Sequence, residues 1–181
     1  MRKLFLFIVC FILFGVGIKA QRFPQAVLPG DYPDPSILRD GKNYYMTHSP
    51  FYYAPGFLIW HSTDLIHWEP VCRALPEYEG SAMAPDLLKY QGRYYIYYPT
   101  STGENFVIYA DNIRGPWSKP VKLDVKGIDP GHVVGEDGKR YLFTNNGWIT
   151  PLSDDGLKVT GKSRKVYDGW EYPANWVTEG K

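Results

Sequence analysis

Cysteine is nearly missing from this sequence: it has Cys10 and Cys72 alone, and the first lies in a leader expected to be removed. A single remaining thiol cannot form an intrachain disulfide, even in an oxidising compartment. Metal staples are lacking as well. The four histidines, His48, His61, His67 and His132, include no H-x-x-x-H or comparable ligand pair, which leaves no zinc site to read. An excess of one charge is absent too. Taking Arg2, Lys3 and Lys19 from the 20 basic residues leaves 17 against 19 acidic ones, and a nearly neutral chain has no electrostatic footprint for nucleic acid or an anionic surface. No stretch carries a useful amphipathic helical period, and the aliphatic residues past position 20 come in short groups.

The first twenty residues differ from the rest. Arg2 and Lys3 precede an uncharged apolar run of 15 residues from Leu4 to Ile18, followed by Lys19-Ala20 and the polar Gln21-Arg22. That is the pattern of a secretory signal peptide (1–20) with cleavage after Ala20. A membrane anchor would want roughly 20 apolar residues. A lipid anchor would want small residues before the cysteine, whereas Cys10 follows Ile8-Val9. The expectation is export to the periplasm or the extracellular space, with no stable membrane insertion after cleavage.

What is abundant is aromatic: 15 Tyr, 9 Phe and 6 Trp. These residues favour strands, and their flat apolar faces with polar edges also suit sugar rings. Short runs such as Tyr44-Tyr45-Met46-Thr47, Phe57-Leu58-Ile59-Trp60, Tyr94-Tyr95-Ile96-Tyr97-Tyr98 and Phe106-Val107-Ile108-Tyr109 are separated by Gly, Asp and Pro turns, which predicts an all-β chain.

Stacking these runs exposes a repeat. Segments 37–44, 87–94 and 134–141 each place an apolar residue seven positions before a tyrosine, with a glycine turn between; Ile37, Leu87 and Val134 are the anchors. Later in each unit, segment 60–68 (Trp60 to Trp68) has a counterpart in 109–117 (Tyr109 to Trp117) and a weaker one in 152–157. A period of about 40–50 residues with four strands is the signature of a propeller blade. Three blades fit between residue 30 and about residue 170, and a fourth would begin after Thr178-Glu179-Gly180. Closed propellers have at least about four blades, so residues 21–181 read as an incomplete β-propeller.

The innermost strand of each blade lines the central channel, so residues at its start converge on one mouth. Asp34, Asp86 and Glu179 all stand at or just before predicted inner strands. Cleaving a glycosidic bond calls for such acids: one to protonate the leaving oxygen, another to activate water or attack the sugar. Crowding among them keeps one protonated near neutral pH. An isolated Asp in a Pro-rich turn is otherwise a turn-former.

Five motifs in order carry a family resemblance: Tyr32-Pro33-Asp34-Pro35-Ser36-Ile37, Ser62-Thr63-Asp64-Leu65-Ile66-His67-Trp68, Ala84-Pro85-Asp86-Leu87, Gly115-Pro116-Trp117-Ser118 and Ile128-Asp129-Pro130, with Glu179-Gly180 at the end. Together the chain from about residue 27 onward resembles family 43 of the glycoside hydrolases. The resemblance implies a five-bladed β-propeller acting with inversion on β-xylosides, α-arabinofuranosides or related linkages of plant oligosaccharides and polysaccharides. It makes Asp34 the general base, Glu179 the general acid and Asp86 the residue that tunes and orients the acid. Base and acid would then stand roughly 6.5–9.5 Å apart. It also implies that Phe51, in segment 49–56, packs against the sugar, and that Met83, where the family usually has Trp, forms an altered pocket wall. His132 opens the third inner strand and is a candidate substrate contact. Lys181 follows Glu179-Gly180 where the family commonly has Pro. No cofactor or metal ligand set is evident; a structural ion held in the channel by later blades belongs to some members of the family. Two other readings stand beside the hydrolase: a carbohydrate-binding propeller whose acids only hydrogen-bond hydroxyls, and a truncated, inactive fragment. Xylose against arabinose is left open.

Overall fold

The computed structural model describes residues 26–78 and 80–168. The leader at 1–20 and Glu179 lie outside the described residues, and among those described no helix is long and apolar enough to cross a membrane.

Three four-stranded antiparallel sheets follow one another along the chain. The first holds β1 (Ser36–Asp40), β2 (Asn43–Thr47), β3 (Gly56–Ser62) and β4 (Glu69–Leu75); the second β5 (Asp86–Tyr90), β6 (Arg93–Pro99), β7 (Asn105–Ala110) and β8 (Val121–Leu123); the third β9 (Gly131–Val134), β10 (Arg140–Thr144), β11 (Trp148–Pro151) and β12 (Arg164–Lys165). Each sheet is a meander in which sequence neighbours pair. The first strands approach one another, β1 beside β5 and β5 beside β9, so each sheet is a propeller blade with its first strand innermost. The all-β propeller with three blades is thus as the sequence predicts.

Local chemistry explains the hairpins. Between β5 and β6 only Gln91 and Gly92 are unpaired, and both have positive φ, 48° and 86°, as a two-residue turn matched to strand twist requires. After the third strand of each blade a polar side chain holds the corner. Asp64 accepts from the backbone N–H groups of Ile66 and His67, Asn112 from that of Arg114, and Asp155 from that of Leu157. These are Asx-type turns, and they are the common content of the sequence repeats at 60–68, 109–117 and 152–157.

Strand β6 explains the core. Its sequence Arg-Tyr-Tyr-Ile-Tyr-Tyr-Pro lacks polar alternation, and six of its seven residues are buried, because successive side chains point to opposite faces and both faces are covered. Tyr94, Ile96 and Tyr98 pack with Ile108 and Leu87 against Phe57, Ile59, Ala74 and Leu75 of the first blade. Tyr95 and Tyr97 pack with Val107 and Leu123 against Leu142 and Leu152 of the third. Each aliphatic side chain so buried contributes about 1.5–3 kcal/mol. Polar ties reinforce the first seam: Leu87 N–H donates to Ser36 Oγ at 2.9 Å, and Asp40 accepts from Lys89 Nζ at 2.7 Å and Tyr94 Oη at 2.6 Å.

The structure corrects the repeat in two places. Val134 pairs with Arg140 across a turn of residues 135–139, whereas the turns before Tyr44 and Tyr94 hold two residues each. Counting seven back from Tyr141 therefore falls short: Gly131 stands opposite Phe143 as Ile37 stands opposite Met46 and Leu87 opposite Ile96, and His132 follows it as the second residue of β9. Ile37 itself is 53% exposed rather than part of the core.

Candidate active site

The rim of the channel is built where the chain enters each inner strand. Asp34, Ala84 and Asp129 each precede a proline and each has positive φ, 52°, 39° and 56°. A non-glycine residue there is unusual, and doubly so before proline, so the repeated conformation marks one structural position in three blades. Asp34 and Asp129 occupy that position; Asp86 stands two residues later, after Pro85. Asp34 and Asp86 therefore stand two positions apart in the repeat.

One hydroxyl joins them. Ser49, buried after β2, donates Oγ–H to Asp34 Oδ2 at 2.5 Å, and the same oxygen accepts from Ala84 N–H at 2.6 Å. Ser49 N–H in turn donates to Pro33 O at 2.9 Å. The Asp34 carboxylate is thereby held on the same support as the Ala84-Pro85-Asp86 segment.

Asp86 meets the third blade. Its Oδ2 accepts from His132 N–H at 2.6 Å. Burial pushes its carboxyl up to about 6, although that N–H pulls the other way. Desolvation disfavours the charged form, so a share of the Asp86 population carries a proton near neutral pH.

Phe51 and Met83 sit on adjoining backbone. Phe51 N–H donates to Ala82 O at 3.0 Å and Met83 N–H to Pro99 O at 3.1 Å, so residues 81–83 are strung between the loop after β2 and the end of β6. Both side chains are half-buried. Phe51 also borders an open pocket of about 410 Å³ with Tyr32, His48, Trp60 and Arg73. That pocket is lined by neither Asp34 nor Asp86 and lies on the face of β3 turned away from the second blade, so it is not the centre of the acids.

His132 is fixed on three sides. Its ring stacks on Tyr97 with centroids 5.8 Å apart and planes 7° from parallel, lies 5.8 Å from the Tyr90 ring, and receives Arg140 Nε–H at Nε2, 2.9 Å. Burial, then the Arg140 charge, pull its pKa down to about 4. The structure thus brings Asp34, Phe51, Met83, Asp86 and His132 to one continuous rim, while Glu179 lies outside the described residues. Sequence reasoning missed Ser49 and Arg140. Ser49 is a serine next to a proline, with no signal of its own. Arg140 stands in a strand, and only its burial at 2% exposure distinguishes it. Among the described residues no cluster of three or more His, Cys, Asp or Glu could hold a metal ion.

Comparison with known proteins agrees with this architecture. The chain is 33% identical over 169 residues to a xylosidase/arabinosidase of Butyrivibrio fibrisolvens, covering 79% of this chain and 33% of that protein. It is 31% identical over 157 residues to a non-reducing end α-L-arabinofuranosidase of Bacteroides ovatus, covering 78% and 30%. Among solved structures it is similar to a GH43 protein of Bacillus licheniformis, with a TM-score of 0.72, 33% identity, and coverage of 83% of this chain and 34% of the other. The chain therefore spans about a third of the length of the relatives it matches. The family model of Glycosyl hydrolases family 43 matches residues 23–181, and the chain belongs to that family.

Proposed function

We propose that this chain contributes the first three blades, and the base side of the site, to an exported inverting glycosidase acting on pentose-containing plant glycans of the xylan, arabinoxylan or arabinan type. The observation that carries the reading is the Asp34–Ser49–Ala84 link beside a half-buried Asp86: one carboxylate is hydrogen-bonded and exposed, the other raised toward neutrality by burial.

In the proposed step, Asp34 accepts a proton from water as that water attacks the anomeric carbon. The bond to the leaving oxygen breaks, and Glu179 delivers a proton to that oxygen. Asp86 orients Glu179 and, as a neighbouring carboxyl, keeps the acid protonated. Phe51 and Met83 form apolar wall against the sugar face. Relatives named for both xylosidase and arabinosidase activity support the substrate class, and export rests on the signal-peptide pattern of residues 1–20. Asp34→Ala in the full-length protein tests the assignment: hydrolysis of aryl-xyloside and aryl-arabinofuranoside should vanish with the circular dichroism spectrum unchanged. Activity like that of the parent would sink it.

A further inference from the structure

Arg140 is the most buried cation of the described chain, 2% exposed, and among the described residues no carboxylate forms an ion pair with it. Burying a guanidinium costs several kcal/mol unless every donor finds a partner. Here the partners are aromatic and neutral. The guanidinium carbon lies 4.4 Å from the Tyr90 ring centre and 4.5 Å from that of Tyr95, a cation–π arrangement. Its nitrogens donate to His132 Nε2 at 2.9 Å, Tyr97 Oη at 3.1 Å and Asp154 O at 3.2 Å. Tyr97 Oη–H donates to Gly156 O at 2.9 Å, so its lone pairs are left to accept.

The direction of the Arg140–His132 bond is fixed by chemistry. Arginine has no acceptor and does not lose its proton in proteins, so His132 Nε2 must be the acceptor and cannot carry hydrogen. A neutral imidazole then has its proton on Nδ1. That atom has no protein partner among the described residues and is not among the buried unpaired polar atoms, so it is open to solvent. The same residue's backbone N–H holds Asp86 Oδ2.

We propose that Arg140 is a positioning residue that locks His132 as the neutral Nδ1–H tautomer, making His132 a one-directional hydrogen-bond donor beside Asp86 for a hydroxyl of the bound glycan. The tautomer follows from the geometry alone; its assignment to a sugar hydroxyl rests on the function proposed above. Groups facing the imidazole are Tyr90 on β5, Tyr97 on β6 and Arg140 on β10, none of which offers Nε2 a competing acceptor, while Asp86 meets His132 at its backbone N–H. The arrangement makes the donor independent of pH over the range in which an ordinary histidine would change charge.

Long-range ¹H–¹⁵N correlation on histidine-labelled full-length protein at pH 7 tests the tautomer. The expected spectrum shows His132 with a protonated Nδ1 and an unprotonated Nε2, a preference opposite to that of free imidazole side chains in water. An Nε2–H pattern or an imidazolium would overturn the proposal. In Arg140→Met the Nδ1–H preference should disappear; its persistence would overturn the role of Arg140, and should that variant fail to fold, the parent spectrum still decides. His132→Phe keeps the ring that stacks on Tyr97 but removes the Nδ1 donor together with the acceptor of Arg140 Nε; the folded variant should raise KM for the pentoside about three- to tenfold, the loss expected for one hydrogen bond, with kcat less affected. An unchanged KM would overturn the substrate contact. If Asp34→Ala retains activity, the hydrolytic reading fails while the spectrum still reports the tautomer, so the two ideas fail separately.

Discussion

Ser49 and Asp34 share a hydrogen bond of 2.5 Å between hydroxyl and carboxylate, and because the same hydroxyl accepts from Ala84 N–H, it is the joint between the first two blades at the channel rim. Ser49→Ala should leave Ala84 N–H without its partner and Asp34 free to rotate. The expected result is a stability loss of about 1–3 kcal/mol and a kcat lower by about 10–100-fold, since a misplaced base loses its alignment with water. Denaturant melts and steady-state kinetics on an aryl pentoside would measure both; parent-like kcat would contradict the role.

Asp86 and His132 predict an unusual pH dependence of stability. Folding raises the Asp86 carboxyl to about 6, so the folded chain binds a proton that the unfolded chain has lost, and this group makes stability fall as pH rises from about 4 to 6. Folding lowers His132 to about 4, so the unfolded chain binds the extra proton, and this group makes stability rise with pH up to the ordinary histidine range. The two slopes oppose. Asp86→Asn removes the first, so the variant should gain stability with pH more steeply between pH 4 and 6. It should exceed the parent by up to about 3 kcal/mol at pH 7 and match it near pH 4. Urea unfolding at pH 4, 5 and 7 checks this; an unchanged slope would contradict it.

Gly156 stands against the Arg140 cluster. It has φ 72°, and a methyl group there would meet Arg140 Cζ at 2.5 Å and contact the Tyr97 hydroxyl. Gly156→Ala should cost several kcal/mol, since backbone strain and overpacking each cost about 1–3 kcal/mol. Gly41 is the control: its φ is 63° but nothing lies within 4 Å, so Gly41→Ala should cost only the left-handed penalty of about 1–2 kcal/mol. Equal losses in thermal melts would refute the steric account.

Ile108 is fully buried in the seam between the first two blades, and Ile37 is 53% exposed at the inner strand. Ile108→Ala should destabilise by about 2–5 kcal/mol through the cavity it leaves, whereas Ile37→Ala should stay within about 0.5 kcal/mol. Chemical denaturation of both variants separates the two positions.

How much could be read in advance follows from the range of the interactions. Strand identity, the glycine turns and the four-strand period are local, carried by runs such as Tyr94-Tyr95-Ile96-Tyr97-Tyr98 and by the Asx corners at Asp64, Asn112 and Asp155, and the sequence alone determined them. It also determined that acids stand at the starts of inner strands, because proline and the residue before it govern the backbone there. Only the tertiary structure decided the rest. A turn of residues 135–139 rather than two residues moved the third blade's register from Val134 to Gly131. The spacing of Asp34 three residues before Ile37 and of Asp86 one before Leu87 was already in the sequence; the structure added that Ala84 and Asp129 share Asp34's backbone conformation. Ser49, reaching across 35 residues to Ala84, and Arg140, reaching across 43 to Tyr97, act through contacts that no local pattern encodes. Their partners come within reach only when blades pack face to face; burial then raises the pKa of Asp86, and the Arg140 hydrogen bond occupies Nε2 of His132.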